Sequence, residues 1–117
     1  MGNTNSPAIS THVLDTTLGV PAEGVSVTLW RVERSDKALE STQKTNHDGR
    51  IANLLSGELT AGHYRISFDV ASYLARQRDE EPFFRNVVID FDVTDVERKY
   101  HVPLLISPYM CTSYRGS

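Results

Sequence analysis

The stretch Gly62-His63-Tyr64-Arg65-Ile66-Ser67-Phe68-Asp69-Val70 constrains the fold most tightly. Tyr64, Ile66, Phe68 and Val70 alternate with His63, Arg65, Ser67 and Asp69. A period of two marks a strand with one face in a core and the other outside it. The pattern recurs. Residues 86–93 alternate with Val87, Ile89, Phe91 and Val93 inward, and residues 25–32 direct Val25, Val27 and Leu29 to the core. Residues 9–14 set Ile9, Thr11 and Val13 on one face and Ser10, His12 and Leu14 on the other. Residues 100–107 form an apolar strand that Pro103 confines to an edge or to a position needing no ladder donor. Pro108 breaks it, and residues 109–114 make a last short strand.

Turn chemistry separates these runs. Gly19, Pro21 and Gly24 punctuate residues 15–24, and Asp48-Gly49 supplies a tight turn directly before Arg50. The charged run 33–40 reads as a hairpin loop, followed by a short edge strand at 41–45. Residues 51–59 read as a short strand and a loop. Residues 71–78 change habit, and Ser72 caps a short helix that Asp79-Glu80-Glu81-Pro82 ends. Seven or eight strands and one short helix describe an all-β, two-sheet antiparallel β-sandwich. Residues 1–8, small and polar, read as a disordered leader, and residues 9–117 as the one domain.

Composition sets further bounds. A 117-residue chain with 39% hydrophobic and 23% charged residues has the makings of one ordinary core. A net charge of −3 argues against nucleic acid as a partner. The single cysteine, Cys111, forms no internal disulfide and reads as a small packed residue. Met1-Gly2-Asn3-Thr4-Asn5-Ser6 matches the loose N-myristoylation pattern but reads as polar leader. With no apolar run of membrane-spanning length, no export signal and no peroxisomal Ser-Lys-Leu ending, a cytoplasmic protein is expected.

Local motifs exclude several chemistries. The chain has no Gly-rich phosphate loop, no Cys-x-x-Cys, no His-Glu-x-x-His and no Gly-x-Ser-x-Gly. What remains is dispersed: His12, Arg50, His101 and the closing Tyr114-Arg115-Gly116-Ser117. Taken singly, each also reads as scaffold: a solvated strand histidine, a surface charge after a turn, a histidine at a sheet end. His47 and His63 read as a turn residue and a polar-face residue. Spacing alone does not bring the set together.

Four stretches carry a resemblance: Ser10-Thr11-His12-Val13-Leu14-Asp15, Thr45-Asn46-His47-Asp48-Gly49-Arg50, Tyr100-His101-Val102-Pro103-Leu104-Leu105 and Tyr114-Arg115-Gly116-Ser117. In these the chain resembles the transthyretin-related 5-hydroxyisourate hydrolases, from about Ile9 to Ser117. The closing tetrapeptide with both histidines is the specific part, because transthyretin proper lacks that ending. One departure stands out. The family usually reads Ser-Pro-Phe/Tyr-Gly-Tyr-Ser-Thr before the tetrapeptide, whereas here Met110 replaces the glycine and Cys111 the tyrosine.

The resemblance implies a homotetramer, a dimer of dimers with sites at the dimer–dimer interface, and hydrolytic opening of the six-membered ring of 5-hydroxyisourate in urate catabolism without metal or cofactor. It implies catalytic roles for His12, Arg50 and His101, with His101 as the base and its neutral form favoured by the Arg50 charge. It implies substrate contacts from His12, Arg50, Tyr114, Arg115, Gly116 and Ser117. Two other readings stay open at this level: a transthyretin-type carrier of a small ligand, and an adhesive sandwich without a pocket.

Overall fold

The computed structural model describes residues 6–117, so the acylation pattern at Gly2 and most of the leader fall outside the described residues. Ten strands and one helix follow in order: β1 (Ile9–Asp15), β2 (Val20–Pro21), β3 (Ser26–Glu33), β4 (Asp36–Lys44), β5 (Arg50–Ile51), β6 (Gly62–Asp69), α1 (Val70–Gln77), β7 (Val87–Val93), β8 (Tyr100–His101), β9 (Leu104–Ser107) and β10 (Met110–Ser113). They form two sheets. One runs β4-β3-β6-β7; the other runs β10-β9-β1-β2, with β5 and β8 also paired to β1. The first is antiparallel throughout. In the second, β1 pairs antiparallel with β2 and β5 but parallel with β8 and β9.

The alternation places the core as expected. Ile9 and Val13, Val27 and Leu29, Tyr64, Ile66 and Phe68, and Leu104 and Ile106 are fully buried between the sheets. Three local expectations change. The charged run 33–40 is mostly strand: β3 turns tightly through Arg34 and Ser35 into β4, with Glu33 opposite Asp36 and Arg34 at φ +47°. β4 is an edge strand, mostly exposed on both faces, so it shows no alternation and its charges guard the edge. The helix starts at Val70, and its cap is Asp69, whose carboxylate accepts hydrogen bonds from the Ser72 N–H at 3.1 Å and Ser72 Oγ at 2.7 Å. The run 100–107 divides at Val102-Pro103 into β8 and β9, since proline has no N–H for the ladder.

Polar residues of the motif stretches hold the sheet that carries the histidines. Buried Thr11 donates from Oγ1 to the Val102 carbonyl at 2.6 Å, tying β1 to the segment after His101. Buried Thr45 donates to the Ala22 carbonyl and accepts from the Val25 N–H. Asp15, also buried, accepts from the Tyr73 hydroxyl at 2.8 Å and from the N–H groups of Thr17 and Leu18. That contact fastens α1 to the end of β1. Among the described residues, no helix is long and apolar enough to cross a membrane.

Candidate active site

The outer face of β1 organises the site. Core side chains occupy Ile9, Thr11 and Val13, so Ser10 and His12 project to the other face of the sheet. Pairing then brings two distant segments to them. His101 lies opposite Ser10 in the parallel pair with β8, and Arg50 lies opposite His12 in the antiparallel pair with β5. Directly opposed residues on paired strands share a face.

The turn before Arg50 is fixed by backbone geometry. Asn46 Oδ1 accepts from the N–H groups of Asp48 and Arg50, both at 2.9 Å. Gly49 has φ +74°, its carbonyl accepts from Val13 N–H at 2.7 Å, and a side chain there would strike the Val13 carbonyl. Only glycine meets both demands. Arg50 therefore enters β5 in register with His12.

The terminal segment returns to His101. The hairpin β9–β10 ends at Ser113, and the Gly116 N–H then donates to the His101 carbonyl at 2.8 Å. A side chain at Gly116 would collide with the His101 ring, so the absence of one lets the backbone lie against the imidazole. On the ring's other side, Ser10 Oγ is 2.8 Å from His101 Nδ1.

His101 is half-buried, and its pKa falls below the ordinary histidine value. Burial is the largest cause, followed by the positive charge of Arg50 and then His12. The neutral ring is thus favoured more by desolvation than by the guanidinium. Arg50, His101 and Ser117 share one open cleft with Ser10, Asn46 and Lys99. Tyr114 and Arg115 instead line a second cleft with Ile89, Phe91 and Tyr100, and His101 borders both. Arg115 stacks its guanidinium 4.7 Å from the centre of the Tyr100 ring. Burial raises the Tyr100 phenol, but hydrogen bonds from Asp95 and Thr94 and the Arg115 charge outweigh it, and the net shift is downward.

The sequence-derived set thus divides. His12, Arg50, His101, Gly116 and Ser117 gather on one side, and Tyr114 and Arg115 on the other. His47 is exposed in its turn, and His63 lies on the outer face of the other sheet. There its Nε2 is 3.2 Å from Asp90 Oδ1, without hydrogen-bond geometry. Sequence reasoning passed over Ser10, Asn46 and Lys99. Position 10 alone carried a readable sign, because the alternation sets it on the His12 face.

Comparison with known proteins places the whole chain. The family model described as HIUase/Transthyretin family matches residues 9–116. The chain is 40% identical over 117 residues to the 5-hydroxyisourate hydrolase of Mus musculus, covering 97% of this chain and 98% of the relative. The solved 5-hydroxyisourate hydrolase of Klebsiella pneumoniae superposes with a TM-score of 0.83 at 36% identity, covering 95% of this chain and 99% of that one. A sea bream transthyretin in complex with thyroxine gives a TM-score of 0.84 at 28% identity, covering 92% and 93% of the two chains. With its two sheets and nearly its whole length in agreement, the chain belongs to the HIUase/transthyretin family.

Proposed function

We propose that this chain hydrolyses 5-hydroxyisourate, opening its six-membered ring with a water molecule activated by His101. The carrying observation is the setting of that ring: half-buried, disposed to be neutral, and sharing a cleft with Arg50. The full-length likeness to 5-hydroxyisourate hydrolases supports the hydrolase over a carrier, since the transthyretin likeness is lower in identity.

A neutral imidazole takes a proton from water as oxygen adds to the ring carbonyl. The tetrahedral oxyanion then expels the ring nitrogen, which receives a proton as the C–N bond breaks. General-base help of this kind is worth roughly a hundred- to ten-thousand-fold. Arg50 offers planar donors to the carbonyl-rich substrate and to the developing oxyanion. His12, opposite Arg50, positions the ring or passes a proton. Gly116 allows close approach, Ser117 closes the cleft, and Tyr114 and Arg115 contact substrate from the second cleft.

The working form in this reading is a homotetramer of residues 9–117 with sites where dimers meet. Exposed apolar side chains at the far end of the same sheet, Leu18, Val20 and Met110, support an assembly that covers that face.

The test is optical. 5-Hydroxyisourate is generated from urate with a urate oxidase, and its ultraviolet decay is followed. The protein is expected to accelerate decay, and His101→Asn to lose a hundredfold or more of the rate, on the order of general-base help, with an unchanged circular-dichroism spectrum. Decay at the spontaneous rate with the intact protein would sink the enzyme reading and favour the carrier. Full activity in His101→Asn would remove His101 as the base.

A further inference from the structure

The Ser10–His101 contact has a consequence for catalysis. A histidine acts as base through the ring nitrogen that lacks a proton, and the hydrogen bond made by the other nitrogen decides which one that is. Here Nδ1 is engaged: Ser10 Oγ stands 2.8 Å away, across the parallel pairing of Ser10 with His101. Nε2 is the nitrogen left for water.

Ser10 is held in place by backbone on both strands. The Val102 N–H donates to the Ser10 carbonyl at 2.9 Å, and the Tyr100 N–H to the Ala8 carbonyl at 2.8 Å, bracketing the pair. Thr11 Oγ1 closes the same joint on the core side. The hydroxyl therefore sits at a fixed register against the ring. Gly116 restrains the imidazole elsewhere, through its close backbone and its bond to the His101 carbonyl.

We infer that Ser10 is a positioning residue: its oxygen accepts the Nδ1–H of neutral His101, holding the proton there and keeping Nε2 free as the base. The consequence for turnover rests on the hydrolase reading; the proton's location does not. With the hydroxyl removed, nothing on that side favours the Nδ1–H form, and the ring shifts toward the Nε2–H tautomer, which cannot accept a proton at Nε2.

The test uses the full chain labelled with 15N-histidine, the His101 signals being assigned by their loss in His101→Gln. Above the His101 titration, intact protein is expected to show the proton on Nδ1, and Ser10→Ala to move it toward Nε2. In the decay assay Ser10→Ala should lower kcat about tenfold, the loss expected of one hydrogen bond, with KM changed little. Ser10→Thr, which keeps a hydroxyl, should restore both the tautomer and most of kcat. An Nε2–H ring in the intact protein, or no tautomer change in Ser10→Ala, overturns the assignment. A tautomer that moves while kcat stays constant upholds Ser10's hold on the proton and sinks the general-base reading of His101 instead.

Discussion

Arg50 forms no ion pair with a carboxylate among the described residues, so no close anion cancels its charge toward its neighbours. It lies opposite His12 and disfavours protonation of His101. The direction for pH dependence follows. With its pKa lowered, the His101 ring, the proposed base, remains neutral at acidities where an ordinary histidine, at about 6.5, is half protonated. The acid limb of kcat is expected below that value. Below pH 6.5 an unfolded chain takes up a proton at position 101 that the folded chain resists, so this group's effect lowers stability as pH falls through that window. Arg50→Gln should raise the His101 pKa and carry the acid limb upward, though not fully to the ordinary value, because burial remains the larger cause. Arg50→Lys should leave the His101 titration near its original position. The ring's NMR titration reads this independently of any loss of substrate binding. A titration unmoved or lowered in Arg50→Gln would show that the guanidinium does not govern the protonation of His101.

At the scale of elements, strands with one buried face were readable; β10, which has none, was read from the Pro108 break before it, and β4 was read only over its last residues. β6 and β1 alternate because one face of each meets the core, and the expected inward residues are the buried ones. β4 hid among charges because neither of its faces is consistently buried. The helix was visible, but its cap was misplaced by three residues: Asp69 also completes the alternation of β6, and a one-residue change of role at a strand–helix junction leaves no periodic trace. The site was legible only as a set of residue types. Its geometry depends on pairings of Ser10 with His101, His12 with Arg50 and His101 with Gly116, which are distant in sequence and carry no local signal. Family resemblance grouped His12, Arg50, His101 and the closing tetrapeptide, and the structure supplied the pairings. The helix makes its own testable contribution through Tyr73, whose hydroxyl bonds the buried carboxylate of Asp15 and whose pKa rises strongly, first from burial and then from that bond. Tyr73→Phe leaves Asp15 Oδ2 without its partner, while Oδ1 keeps the Thr17 and Leu18 N–H groups. A loss of about 1–3 kcal/mol is expected, measured by denaturant unfolding. A change below a few tenths of that range would mean water replaces the phenol without cost.

For the whole molecule, Met110 is the position where sequence and assembly meet. The family's usual glycine there would expose little, but Met110 presents a side chain that is 68% exposed. It opens the edge strand β10, opposite Ser107 and beyond the Asp15 end of β1, while the histidines sit toward the other end. An edge strand with an exposed apolar side chain invites association unless a partner covers it. Within one chain Met110 contributes little to the core, so a charge there leaves the sandwich intact. In a homotetramer closed across this sheet, the same charge would be desolvated against a facing subunit. Met110→Glu is therefore expected to lower the mass seen by sedimentation from the proposed four chains toward two or one, with an unchanged circular-dichroism spectrum. Turnover should fall with dissociation, since the proposed sites need neighbouring subunits, and should recover as protein concentration rises. A variant that remains a full assembly would place Met110 outside the subunit contacts. A dissociated variant with undiminished kcat would show that each chain carries a complete site, with His101, Arg50 and Ser117 sufficient in one cleft.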